Sequence, residues 1–187
     1  MLAITTYLGS RELPAVGGNA KAPDWISKFR SLQYRGGLTM MVEGSPGGLT
    51  FPTTLTIKPQ RMGDGWTEIL IHSTQHNPNG MPPTEGEAKG VAGLAGFTGL
   101  CIPPAALQGL RPNQVLDRDP YTQYTYSVVG QANGPGGPMM VIRETGQVHH
   151  TDVGYDLRSG MLVILNKEDH STSPGSSVTK FQLSGQE

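Results

Sequence analysis

The chain is poor in charge, in aromatic side chains and in cysteine, and these shortages exclude several functions. Only 16% of its 187 residues are charged, and 14 basic against 15 acidic side chains give a net charge of −1. A protein that binds nucleic acid needs a basic surface to neutralise phosphates, so we expect no nucleic-acid partner. Cys101 is the single cysteine, which excludes an intrachain disulfide and a cysteine-rich zinc site.

The sequence also lacks an unbroken apolar run that would cross a bilayer as a helix. The stretch 90–110 carries no charge and has about the length of a membrane span. Pro103 and Pro104 interrupt it, however, and glycines at 90, 93, 96 and 99 dilute it. We therefore predict a buried loop or glycine-rich strand here, and no transmembrane segment.

The N-terminal residues have neither the basic start nor the sustained apolar core of a signal peptide. Either they belong to a mature chain or the protein stays inside the cell. Low charge and abundant small polar residues are typical of proteins that work outside the cytoplasm. On composition we expect an extracytoplasmic location, which would be periplasmic, cell-surface or secreted.

The sequence is rich in turn-forming residues, with 26 glycines and 15 prolines. This composition favours many short strands over long helices. The clearest hairpin is 148–165, in which Asp156 can hydrogen-bond its own turn and Gly160 can take the positive φ that leaves it. The arm 161–165 is apolar at every position, which predicts a strand that is covered on both faces.

Eight to ten such segments follow one another with hairpin-like links. They predict a mainly β fold, an antiparallel meander forming a barrel, a half-barrel or a sandwich, with one or two short helices. The best helix candidate is 23–29, and a helical turn is expected at 103–108. We interpret 1–22 as an N-terminal arm or edge strand and 23–187 as a single β domain. In general shape the pattern is similar to the half-barrel carriers of bacterial envelopes.

The candidate catalytic and metal-binding residues are few. His149 and His150 are adjacent, so on a strand they point to opposite faces, whereas His150 and Asp152 share a face and could supply two metal ligands. A third ligand could come from another histidine. No nucleophile motif, phosphate-binding loop or dinucleotide fingerprint occurs, so we expect no catalytic residue of these classes and no cofactor. Cys101 lies among apolar residues, a setting that leaves a thiol inert.

Apolar side chains exceed what one sheet face can bury. The segments 40–42, 139–142 and 161–165 are each expected to be covered on both sides, and several contain methionine, which adapts to varied partners. The surplus indicates an apolar cavity or a contact face. We predict that this face is lined by five residues, namely Trp25, Phe29, Met40, Trp66 and Met140.

Three functions remain open. The first is a non-catalytic binding or structural module that offers an apolar cavity or face to a lipid-like small molecule or a partner protein. The second is a subunit that assembles with itself, using the arm and the region 73–100. The third is a metal-dependent enzyme that uses His149 or His150.

Overall fold

The computed structural model describes residues 29–42, 48–63, 66–93, 100–118, 123–170 and 175–186. Ten strands and one short helix account for most of these residues. They are β1 (Leu32–Val42), β2 (Leu49–Gly63), β3 (Trp66–Gln75), β4 (Thr84–Gly93), α1 (Pro104–Gln108), β5 (Val115–Arg118), β6 (Thr125–Gly134), β7 (Gly137–Thr145), β8 (His149–Asp156), β9 (Leu162–Asp169) and β10 (Gly175–Gln186). The predicted mainly β class, the strand number and the helical turn at 103–108 are confirmed.

All ten strands form one antiparallel sheet in the order β4-β3-β2-β1-β10-β9-β8-β7-β6-β5. Neighbours along the chain are neighbours in the sheet, as a meander requires, except for β4 and β5. The first and last strands pair along their length, and β4 and β5 are the two edges. Since the sheet is not closed into a barrel, the architecture fits a half-barrel or a sandwich.

One face of the sheet carries the main hydrophobic core, and we call it the inner face. Alternate residues of the strands point to this face, as in Leu55 and Ile57 of β2 or Val153 and Tyr155 of β8. The segment 100–110, which contains α1, packs against it. Five of its side chains lie in the same core: Leu100, Cys101, Ile102, Leu107 and Leu110.

Backbone hydrogen bonds join the segment 100–110 to the start of β9. Ile102 N donates to Gly160 O at 2.8 Å, and Leu162 N donates to Leu100 O at 2.9 Å. A β-bridge between Cys101 and Met161 lies between these bonds. The buried loop predicted from the glycine- and proline-broken run is therefore confirmed for residues 100–110. Gly90 and Gly93 of the same run belong to β4, and residues 94–99 lie outside the described part.

The hairpin between β8 and β9 has the predicted turn. Asp156 Oδ1 accepts hydrogen bonds from Arg158 N at 3.0 Å and from Ser159 N at 2.7 Å. Gly160 has a φ of +75°, which a side chain would strain. The turn is thus held by its own aspartate, as the sequence indicates.

Coverage of both faces is confirmed for β7 and β9 and is wrong for β1. Met139, Val141 and Val163 form a second buried cluster on the outer face of the sheet. Met40 and Met41, in contrast, are 39% and 42% exposed. Both faces of β1 are open at that point because β1 there approaches its end, away from the main core.

Two sequence predictions fall outside the described residues. They are the N-terminal arm 1–22 and all but the last residue of the helix expected at 23–29. In the described part of the chain, no helix has the length and apolar character needed to cross a membrane.

Candidate functional site

A row of side chains crosses the inner face towards the ends of β7 and β9. Residues directly opposite each other on antiparallel strands share a face of the sheet. From Tyr126, which lies in the core, the register extends along this face in strand order through Glu144, Thr151, Lys167, Thr179, Leu38 and Phe51. Polar side chains thus occupy the first part of the row and apolar ones its far end.

The next row of side chains towards the strand ends also has polar side chains at one end and apolar side chains at the other. His149 of β8 opposes Asp169 of β9, which opposes Ser177 of β10. The row ends in the apolar pair Met40 and Leu49. We call Tyr126, Glu144, His149, Lys167 and Asp169 the polar end. We call Leu38, Met40, Leu49 and Phe51 the apolar strip.

Glu144 is at the centre of the polar end and holds two partners. The Tyr126 hydroxyl donates to Glu144 Oε2 at 2.5 Å. His149 Nε2 lies 3.2 Å from Glu144 Oε1, and an ionised carboxylate can only accept, so the imidazole is the donor. The side chains of His149 and Glu144 are only 8% and 12% exposed. A carboxylate so withdrawn from water needs these donors to offset its desolvation.

The imidazole of His149 is fixed by packing as well as by Glu144. The ring of Tyr124 meets it edge to face, with centroids 4.8 Å apart and an interplanar angle of 84°. On another side lies Gly146, where an added Cβ would come within 2.6 Å of the imidazole. Gly146 N donates to His149 O at 2.8 Å and closes the turn between β7 and β8. The short turn therefore positions His149 over the carboxylate.

Lys167 and Asp169 complete the polar end from β9. They are two residues apart on one strand and so share the inner face, where Lys167 Nζ lies 3.2 Å from Asp169 Oδ2. Both side chains are about four-fifths buried. Partial burial reduces solvent screening, so this ion pair interacts more strongly than a fully exposed one.

Charge is otherwise confined to the outer face. By register, the described side chains of β1–β4 and β6–β10 place arginines, lysines and carboxylates outside, except for Glu144, Lys167 and Asp169. His149 is the histidine among them that faces inward. Glu144, His149, Lys167 and Asp169 thus share a face on which the other described strand side chains of β1–β4 and β6–β10 carry no charge.

The apolar strip lies beside the polar end on the same face. Leu38 is two strands from Lys167, a separation of about 10 Å. Met40 and Leu49 are 39% and 38% exposed, and Leu38 and Phe51 are half-buried. The inner face therefore presents an accessible apolar surface and a cluster of charged side chains. One small molecule is long enough to contact both.

On the outer face, the predicted metal ligands His150 and Asp152 each lie close to another charged side chain. His150 and Asp152 share that face, as predicted, but Asp152 forms a two-point ion pair with Arg143, at 2.6 Å and 2.7 Å. The hydrogen bond to Asp152 raises the pKa of Arg143 above its ordinary value. His150 Nε2 lies 3.7 Å from Glu168 Oε2. Among the described residues no group of three or more potential ligands surrounds a metal position.

The inertness predicted for Cys101 agrees with its environment. Cys101 is buried against β9, and burial raises the pKa of its thiol to about 12. Burial also raises the pKa of Tyr34 and of Tyr155, which are core residues nearby. The Tyr34 hydroxyl donates to Leu162 O at 2.8 Å. Burial therefore disfavours ionisation of all three groups.

Among the predicted lining residues, the three whose side chains are described do not share one accessible surface. Phe29 and Met140 lie in the packed core, and Met40 lies at the open end of the inner face. Trp25 is outside the described residues. Trp66 begins β3, and only its backbone is described. Of the three with described side chains, Met40 is the one that belongs to the accessible apolar surface.

The sequence reasoning missed Glu144, Lys167 and Asp169, although a signal for them was present. In β7, Met140, Ile142 and Glu144 are two residues apart, so the carboxylate follows two core positions on one face. In β9, Lys167 and Asp169 follow Leu165 in the same way. A charge in phase with buried positions marks an inward polar group.

No protein-family model matches the chain, and no curated protein matches it significantly.

Proposed function

We propose that this chain is a non-catalytic binding module that holds an amphipathic, lipid-like small molecule on the inner face of its sheet. The aliphatic body of that molecule lies on the apolar strip, and its polar head lies against the polar end. The proposal includes an extracytoplasmic location, which rests on the low charge of the composition.

The observation that carries this proposal is the juxtaposition of the two surfaces on one face. Ligand sites are mostly apolar with a few fixed polar groups that orient the ligand. The apolar strip supplies four adjacent side chains from β1 and β2, and the polar end supplies side chains held in place by Glu144. A separation of about 10 Å between them matches the length of a medium-length alkyl chain bearing a head group.

A partner protein fits the apolar strip less well than a small molecule does. A stable protein interface buries about 800 Å² on each partner. The exposed apolar area at Met40 and Leu49 involves two partly exposed side chains. A surface of this size suits an alkyl chain.

Self-association through the sheet edges is also disfavoured. The edge strand β4 carries Glu85, Glu87 and Lys89, all exposed, and β5 has only four residues. Charged or very short edge strands prevent a second sheet from pairing with them.

The test is calorimetric titration of the purified protein with dodecanol, a neutral amphiphile. We expect saturable binding to a single site. Met40→Gln should weaken it about fivefold, the loss expected for one partly buried methionine. Met41→Gln is the matched control, because Met41 has similar exposure on the same strand but points to the opposite face.

If the two substitutions weakened binding equally, the ligand would not lie specifically on the inner face. Absence of saturable binding to the wild-type chain would refute it altogether.

A further inference from the structure

At the polar end the carboxylates already have hydrogen-bonding partners within the protein, whereas the ammonium group of Lys167 can donate further hydrogen bonds. Each oxygen of Glu144 already accepts from a donor, Tyr126 or His149. Asp169 accepts from Lys167 and makes a further polar interaction. Both carboxylates are therefore engaged within the protein.

Lys167 has donor capacity to spare. Its ammonium group carries three N–H donors, and within the described part of the chain its ionic partner is Asp169. The residues opposite Lys167 on the two neighbouring strands are Thr151 and Thr179, which carry hydroxyls. A ligand that contacts Lys167 would do so as an acceptor, and a charged acceptor bonds an ammonium most strongly.

The charge balance restricts how an anion can enter. Two carboxylates against one ammonium leave the polar end with a single negative charge when His149 is neutral. An anionic ligand would add to the negative charge of the partly buried polar end, which is unfavourable. If the imidazole of His149 takes up a proton as the anion binds, the net charge stays as it was.

His149 is surrounded by groups that suit this role. Glu144 Oε1 lies 3.2 Å from its Nε2. Asp169, directly opposite on β9, adds a second negative charge. Lys167 lies two residues before Asp169 on the same strand and face. Tyr124, which precedes β6, packs edge to face on His149, and Tyr126 of β6 donates to Glu144. Two carboxylates and one lysine therefore surround the imidazole.

We propose that the polar end binds the carboxylate head of an aliphatic acid through Lys167, and that His149 takes up one proton as the acid binds. The inference rests on the proposed function and names its ligand class. Because the carboxylate enters together with a proton, the acid binds in effect in its neutral form. Its affinity rises as the pH falls, by at most about tenfold for each pH unit.

The test compares three amphiphiles of equal chain length by calorimetric titration: dodecanoate, dodecanol and dodecylammonium. Between about pH 8 and pH 6, the range in which imidazole changes charge, dodecanoate should bind progressively tighter while dodecanol binding stays constant. Titration near neutral pH in phosphate and in Tris, which differ in ionisation enthalpy, should report uptake of one proton with dodecanoate and none with dodecanol.

Two variants localise the effect. Lys167→Gln should weaken dodecanoate about tenfold or more and leave dodecanol unchanged, whereas Lys180→Gln, on the outer face of β10, should change neither. His149→Gln keeps an N–H donor towards Glu144 and should abolish the proton uptake.

The outcomes separate the two proposals. Equal affinity for dodecanoate and dodecanol at every pH, or a preference for dodecylammonium, overturns the carboxylate inference and leaves the binding function standing. Failure of all three to bind overturns both. These comparisons use the wild-type chain, so they stand even if a variant does not fold.

Discussion

At the scale of single residues, the environment of Cys101 decides its reactivity. The thiol lies at the contact between the segment 100–110 and the start of β9, where burial raises its pKa to about 12. The thiolate is the species that attacks an alkylating agent. Access and ionisation both oppose reaction in the folded protein.

We predict that native Cys101 resists iodoacetamide at about pH 8, where its thiolate fraction is on the order of a thousandfold below that of a free thiol. Denaturant should restore ordinary reactivity, and in the native protein the reaction should accelerate as the pH rises. Mass spectrometry of timed samples measures the rate. Rapid labelling without denaturant would contradict the burial of this thiol.

The sequence predicted correctly which side chains of one strand share a face, because alternation along the strand decides this. It did not predict contacts between strands, because these depend on the register of pairing. Parity separates His149 from His150 and places Asp152 with His150, and the structure agrees. The contact of Glu144 with Tyr126 depends on the register of β6 against β7, which shifts between Val128 and Gly130. Such a bulge depends on the packing of the whole sheet, so local residue preferences do not reveal it.

At the scale of elements, the turn between β8 and β9 connects a hairpin to a remote segment. Gly160 is needed twice there. Its φ of +75° favours glycine, and an added Cβ would lie 1.9 Å from Ile102 O. The sequence shows the first need, because an aspartate and a glycine bound the turn. It does not show the second, since Ile102 reaches the turn through tertiary packing.

We predict that Gly160→Ala destabilises the protein by about 1 kcal/mol from backbone strain and by a further 2 kcal/mol or so from the displaced segment. Gly80→Ala is the control, because Gly80 also has a positive φ, +71°, but open space around it. Urea unfolding followed by circular dichroism gives both values. Equal losses at the two positions would show that contact with Ile102 O does not matter.

At the scale of the whole molecule, the strand order explains why the sheet can remain open. Prediction of a meander from the sequence was correct within β1–β4 and within β5–β10, where each strand pairs with the next along the chain. The pairing of β1 with β10 could not be predicted, since nothing local specifies a contact between Leu32 and Gln186. That pairing leaves β4 and β5 as edges, and β4 carries the charges that protect an edge.

We predict a monomer in light scattering, and association that depends on concentration when Glu85 and Glu87 are both replaced by valine. The substitutions remove the charges that oppose pairing at the edge of β4. Replacing Thr74 and His72 by valine is the control, since these residues lie opposite the glutamates on the interior strand β3. Association of both variants alike would indicate general apolar aggregation, and a wild-type oligomer would contradict the protected edge.

The union of β1 with β10 also bears on the order of biosynthesis. Most meanders grow strand by strand from one side, so each new strand extends an existing sheet. Here the seam between β1 and β10, which joins β1–β4 to β5–β10, cannot close until β10, the last of these ten strands along the chain, has been synthesised. Until then β1 and β9 each lack one strand partner, and unpaired strand edges of this kind favour aggregation.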